Sequence, residues 1–355
     1  MMNANASSPT LLLTLGEPGG IGPELAIKLW AQRQTNCVPP FVYLASQNLI
    51  ENRAKTLGLS VPTLDWAIAQ KSQSIEQAFQ DALPVLNLDD DIHDALGVAD
   101  PKNAPAVLSS IETAVRMIHD DEADALITAP INKKSLYDAG FAHPGHTEFL
   151  GLLASQWPNS PYRPVMMLAG PELRTVPATL HIPLKDVPEA LDTGELLELI
   201  EITNRELIQR FNIEKPRIAV TGLNPHAGEE GAMGEEDEAI IRPAILEAQS
   251  KGINVSGPHP ADTLFYRERR STYDAAIAMY HDQALLPVKT LAFDETVNVT
   301  LGLPFIRTSP DHGTALDIAD QNKARPHSML AAIKLADQMA RNAKGQATQM
   351  ADKGQ

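Results

Sequence analysis

The chain has 355 residues, 43% of them hydrophobic and 5% aromatic, a single cysteine and a formal net charge of -16. That length suits about two domains with a buried core, and the charge argues against nucleic acid or an anionic membrane surface as the main partner, since both would be repelled. The lone Cys37 excludes an internal disulfide framework and suits a reducing cytoplasm.

The opening MMNANASSPT lacks the basic and long apolar segments of a secretory signal, so Met1–Pro9 reads as a loose tail. No apolar run approaches the roughly 18 residues of a membrane span, and the expectation is a soluble, cytoplasmic protein. Leu11–Leu15 is a short apolar run that ends in GEPGGIGPE, after which Glu24–Gln32 has helical composition, with Pro23 well placed at a helix start. A glycine loop between strand and helix can offer backbone N–H groups and a helix dipole to an anion. Its spacing matches neither the dinucleotide fingerprint nor the P-loop, so taken alone it reads as a tight turn.

Strands are predicted at Phe41–Ala45 and Leu83–Leu88, with a helix over Ser46–Leu57 between them. Ala106, Ile111, Val115 and Ile118 then recur with helical period, and Ala125–Ala129 reads as a buried strand. Repeated βα alternation implies a largely parallel sheet with helices on both faces. Beyond that strand, PINKKSLYDAGFAHPGHTEFL gathers Lys133, Lys134, His143, His146 and Thr147. Its Pro144-Gly145 turn is followed by a helix opening at His146, which suits phosphate or carboxylate.

Three later apolar runs each lead into a histidine: Val176–Leu180 into His181, Arg217–Thr221 into GLNPHAGEEG with His226, and Ala276–Tyr280 into His281-Asp282. In open α/β sheets the ligand crevice lies outside the carboxyl ends of strands, so these imidazoles are candidates to converge. Singly, each histidine is more often structural; together, three neutral imidazoles with an open position form a catalytic zinc-like ligand set. His93, His119 and His327 sit in polar or helical stretches and read as structural.

Asp282 beside His281, and Asp262 in PHPADTLF, are candidates for orienting a ligand or moving a proton, with turn capping the plainer role for Asp262. The acidic run Gly228–Glu238 reads as a solvated loop and a charged helix start. Lys289, Asn298 and Arg307 form a donor set in an acidic chain: a mobile point charge, a neutral donor and a planar fork. A glycine turn at DHGTALD is expected to open a helix.

At these residues the chain resembles the 4-hydroxythreonine-4-phosphate dehydrogenases. GEPGGIGPE, ITAPINK, PGHTEFL, HIPL, GLNPHAGE, PADTLF, AMYHDQ, VNVTLGLPFIRTS and DHGTALDIA follow the family order over nearly the whole length. The resemblance implies an isocitrate/isopropylmalate dehydrogenase-like α/β fold of two α/β/α domains with a cleft between them. On that expectation, residues 1–135 with 300–355 form the cofactor-side domain, and 136–299 the central metal-binding and dimerisation domain.

It further implies that His181, His226 and His281 bind a divalent cation, and that His146, Thr147, Lys289, Asn298 and Arg307 bind substrate. His312, Gly313, Thr314 and Asp317 would line the NAD or NADP site. The metal site would be shared across a homodimer, with the third histidine, His281, serving the neighbouring subunit. Zinc, magnesium, manganese and cobalt are all open, three imidazoles favouring the softer ions.

The implied reaction is metal-assisted oxidation of the C3 hydroxyl of 4-phosphooxy-L-threonine by NAD. The resulting β-keto acid loses carbon dioxide to give 3-amino-2-oxopropyl phosphate, in pyridoxal 5'-phosphate biosynthesis. Asp282, Asp262 and a metal-bound water are all candidates to take the hydroxyl proton. Two departures stand out: GEPGG, where alanine is common before the last glycine, and an extra histidine, His259. The rival readings are a sibling dehydrogenase acting on phospho-threonate, phospho-erythronate or a cyclic diol dicarboxylate, and a metal-dependent hydrolase.

Overall fold

The structure, a computed structural model, describes residues 8–143, 145–158 and 160–353, the stretch 347–353 as backbone only. Met1–Ser7 of the expected tail and Pro144 of the expected turn lie outside the described residues. Twelve strands occur among the described residues: β1 Leu11–Leu13, β2 Phe41–Ala45, β3 Thr63–Asp65, β4 Leu83–Asn87, β5 Ala125–Ile127, β6 Val165–Ala169, β7 Arg174–Pro177, β8 Ile218–Thr221, β9 Val255–His259, β10 Ala275–Ala278, β11 Val297–Leu301 and β12 Ile306–Pro310.

The chain divides into two compact units, one formed by Met1–Tyr162 and Leu303–Arg341, the other by Arg163–Gly302 and Asn342–Gln355. The first seam therefore falls after Tyr162, whereas the sequence reading drew it after residue 135. Packing explains the difference, because Phe149, Leu150 and Ala154 of the helix His146–Ala154 are buried in the first unit's core with Leu12, Leu126 and Phe305.

In the first unit the strand order is β3-β4-β2-β1-β5-β12 and every pairing is parallel. β1, β2 and β5 are buried along their whole length, which explains their unbroken apolar runs. The helices between them start where the sequence has start signals. Pro23 lies in the first turn of Gly22–Ala31, and Ser46 caps Gln47–Thr56 by accepting from the Leu49 N–H at 3.2 Å. Ala104–His119 follows the apolar period read from its sequence.

The second unit has the order β11-β6-β7-β10-β8-β9. β7, β10, β8 and β9 are parallel neighbours, while β6 runs antiparallel to both β7 and β11. Its core includes Leu168, Ala219, Ala276, Leu285 and Val288. The parallel set matters most for chemistry, because the carboxyl ends of β7, β8 and β10 all open on one edge.

The expectation of a helix at DHGTALD is corrected. Only a single 3-10 turn, Leu316–Ile318, forms there, preceded by Ala315 at φ 44°. A left-handed residue at the helix entry breaks the run of αR conformations on which a longer helix depends.

Candidate active site

In the first unit, the loops after β1 and β5 face each other where the chain switches from one side of β1 to the other, the usual ligand crevice of such sheets. The Glu17 N–H donates to Pro130 O at 2.8 Å, joining the two loops. Arg307, on β12 beside β5, is 3% exposed and donates from Nε and Nη2 to Thr128 Oγ1 at 3.1 and 2.6 Å. Burial lowers its pKa to about 10, so it stays a cation at neutral pH.

His146 opens the helix His146–Ala154, with Thr147 next to it. Its Nε2 is buried without a hydrogen-bond partner. Desolvation, then the charges of Arg307 and Lys133, push its pKa down to about 3, so the free protein holds it neutral. A buried imidazole edge at a helix start, under the field of two cations, is an arrangement that accepts an anion. His143 is a different case: its ring packs against Phe141 and Phe149 at 5.2 and 5.6 Å, a structural role.

The glycine loop is a built feature of the same unit. A Cβ on Gly19 would sit 1.9 Å from Val98 O, so a side chain at this position would not fit without moving that loop. The Ile21 N–H donates to Thr314 O at 3.0 Å, tying the loop to the His312–Asp317 segment. In that segment His312 Nε2 is buried without a partner, its Nδ1 lies 3.0 Å from Gly313 O, and space beside Gly313 is open. Asp317 is exposed. An orphaned buried nitrogen next to an open glycine fits a heteroatom-rich ligand such as a nicotinamide dinucleotide.

Sequence reasoning missed the residues that hold this region together. Arg53, 1% exposed, donates to Gly20 O at 3.2 Å and Pro18 O at 2.9 Å and pairs with Asp94, clamping the glycine loop from beneath. Glu17, 2% exposed, accepts from Gly19 N–H and Ser135 Oγ, each at 3.2 Å, and burial raises its pKa. Glu17 lies in the quoted GEPGG motif, yet nothing in a one-dimensional pattern distinguishes a buried carboxylate from an exposed one.

In the second unit, backbone and side-chain bonds lock the ends of β7 and β10 together. Ala178 N–H donates to Ala278 O at 2.7 Å, and Thr179 Oγ1 to Met279 O at 2.8 Å. This register puts the His181 and His281 rings 5.7 Å apart, lining a cavity of about 290 Å³ with Tyr280 and Asp282. Asp282 Oδ1 lies 2.7 Å from His281 Nδ1, so with the ring hydrogen on Nδ1 the opposite nitrogen offers its lone pair outward.

His226 is exposed in the loop after β8, and among the described residues no three His, Cys, Asp or Glu side chains are grouped to hold a metal ion. Within one chain, then, His281 lies beside His181 and His226 is not gathered with them. Two imidazoles facing one cavity fit a divalent cation that takes a further ligand from outside the pair. Lys289 lies two turns along the helix that His281 opens, and Asn298 is half-buried on β11 opposite Leu168. Asp262 is exposed after β9, and His259 Nε2 lies 2.9 Å from Ser256 Oγ.

Known proteins match over almost the full length. The family model "Pyridoxal phosphate biosynthetic protein PdxA" matches residues 36–336. A 4-hydroxythreonine-4-phosphate dehydrogenase of Bradyrhizobium diazoefficiens is 49% identical over 341 residues, covering 95% of this chain and 99% of the relative. The crystal structure of the enzyme of that name from Klebsiella pneumoniae is 34% identical with a TM-score of 0.82, covering 95% of this chain and 99% of that one. A terephthalate 1,2-cis-dihydrodiol dehydrogenase from Burkholderia xenovorans is more distant, at 27% identity and TM-score 0.64 over 93% and 98% of the two chains. The chain belongs to the PdxA family.

Proposed function

We propose that the chain catalyses the reaction for which its relatives are named, the NAD-linked, divalent-metal-dependent oxidation of 4-phosphooxy-L-threonine in pyridoxal phosphate biosynthesis. The observation that carries the reading is the His181–His281 pair at one cavity, with Asp282 orienting the second imidazole. When bound, the cation supplies Lewis-acid polarisation of the C3 hydroxyl and the dinucleotide accepts hydride. His181 and His281 are the ligands one chain offers that cation, and His226 of the partner subunit of a homodimer completes the set. This assigns the partner's contribution to His226 where the family resemblance assigned it to His281, because His181 and His281 are already adjacent. Exposed apolar side chains of the second unit, Leu184, Leu286 and Phe293 at 66%, 64% and 66%, favour a homodimer.

On the first unit, His146, Thr147 and Arg307 bind an anionic group of the substrate, with Lys133 adding positive field. On the second, Lys289 and Asn298 are further substrate donors. Asp282 holds the His281 tautomer, and Asp262 is the other carboxylate candidate for the hydroxyl proton. His312, Gly313, Thr314 and Asp317 form the dinucleotide side.

The test is NADH appearance with a substrate panel. 4-phosphooxy-L-threonine should give the highest kcat/KM, well above phospho-erythronate, phospho-threonate and a cyclic diol dicarboxylate. Equal or better turnover of any of these would replace the proposed substrate.

A further inference from the structure

The segment GLNPHAGEEGAMGEEDE, acidic enough to read as a solvated loop, is folded around a buried carboxylate. His226, Ala227, Gly228, Glu229 and Glu230 all have left-handed backbones, with φ of 56, 53, 79, 43 and 55°. L-residues visit this region singly and not as a run. A strained run of this kind persists only where its surroundings over-determine it.

The turn that leads into it is held by Asp237, 0% exposed. Its Oδ1 accepts from Leu223 N–H at 2.9 Å, and its Oδ2 from Asn224 N–H at 3.2 Å and Asn224 Nδ2 at 3.0 Å. Asn224 Nδ2 also donates to Glu236 Oε2 at 2.8 Å. A Cβ on Gly222 would lie 2.5 Å from Asp237 Oδ1, so the chain closes on the carboxylate at the residue leaving β8. Asp237 begins a π-helical turn, Asp237–Ile241, a rare form found often at functional sites. Between these anchors the exposed residue that carries an imidazole is His226.

We propose that Asp237 is a positioning residue for His226, fixing the left-handed loop so that the imidazole is presented before any ligand arrives. The inference rests on the reading of His226 as a metal ligand. Losing the carboxylate frees the loop, and metal binding must then order it.

The test compares Asp237→Asn, Asn224→Ala and His226→Ala for metal affinity, by competition with a chromophoric chelator, and for amide hydrogen exchange across residues 222–230. Asp237→Asn keeps the shape but turns an NH2 towards backbone donors. Its affinity should fall about tenfold to a hundredfold, as for other groups that orient a metal ligand, with faster exchange in the loop and kcat near the parent's at saturating metal. Asn224→Ala should show the same changes in smaller measure, and it decides the matter if Asp237→Asn does not fold. A purely structural role would lower thermal stability and leave the folded protein's metal affinity unchanged. Weakened binding in His226→Ala with parent-like binding in Asn224→Ala and in any folded Asp237→Asn overturns this inference alone. Unchanged binding in His226→Ala removes the ligand reading and this inference with it.

Discussion

At the scale of single residues, the anion site proposed for the first unit is defined by what surrounds His146. Its depressed pKa, near 3, follows from desolvation and from the positive charges of Arg307 and Lys133. A phosphate or carboxylate bound there adds negative charge and raises that pKa towards the ordinary value near 6.5. Binding a substrate analogue at pH 6 should therefore take up protons, measured by calorimetry in buffers of differing ionisation enthalpy, and His146→Asn should abolish the uptake. Stability has a definite sign as well. As pH falls from 6.5 towards 3, the unfolded chain accepts a proton that folded His146 refuses, so this group increasingly favours unfolding over that window and adds nothing further below it. His146, Thr147 and Arg307 stood out in the sequence as candidates because few residue types suit an anion. Thr128, Glu17 and Arg53 were not, because their roles depend on burial and on partners far away in the chain.

At the scale of elements, the edge proposed to hold the metal depends on how strand ends are joined. Gln283 Oε1 accepts from Met279 N–H at 2.7 Å and Thr221 Oγ1 at 2.8 Å, while its Nε2 donates to Gly222 O at 2.9 Å. One side chain thus binds the end of β10, which leads to His281, to the end of β8, which leads to His226. Gln283→Leu should cost about 1–3 kcal/mol, the penalty for leaving such partners unsatisfied. Urea denaturation would measure it, and metal affinity should fall with it. The apolar runs made β1, β2, β4, β5, β8 and β10 readable. β9 was not, since Val255–His259 carries Gly257 and Pro258 and lacks alternation. The acidic Gly228–Glu238 run is exposed at Glu229, Glu230 and Glu235 and leads into a helical turn, as its composition suggested, but composition reports charge and not enclosure, and Asp237 within it is fully buried.

At the scale of the whole molecule, the proposed function gives the two units different chemistry: an anion group and a dinucleotide-side loop in one, and in the other the cation site at the His181–His281 pair. The motif order was enough to identify the family, while whether ligands are shared between subunits is a matter of geometry that spacing does not encode. With His226 supplied by the partner subunit, inactive His181→Ala and inactive His226→Ala should complement when mixed. Random reassembly leaves one intact site in half the dimers, restoring about a quarter of the activity. His181→Ala mixed with His281→Ala should restore none, because both ligands come from one chain. The opposite pattern, with heterodimers demonstrated, would return His281 to the neighbouring subunit's site.

The most direct measurement follows NADH formation and carbon dioxide release from 4-phosphooxy-L-threonine by protein stripped with a chelator and then reloaded with zinc, cobalt, manganese or magnesium. No turnover is expected in the stripped protein, with recovery on reloading and carbon dioxide following NADH. Release of inorganic phosphate without any need for NAD would contradict it and identify a metal-dependent hydrolase instead.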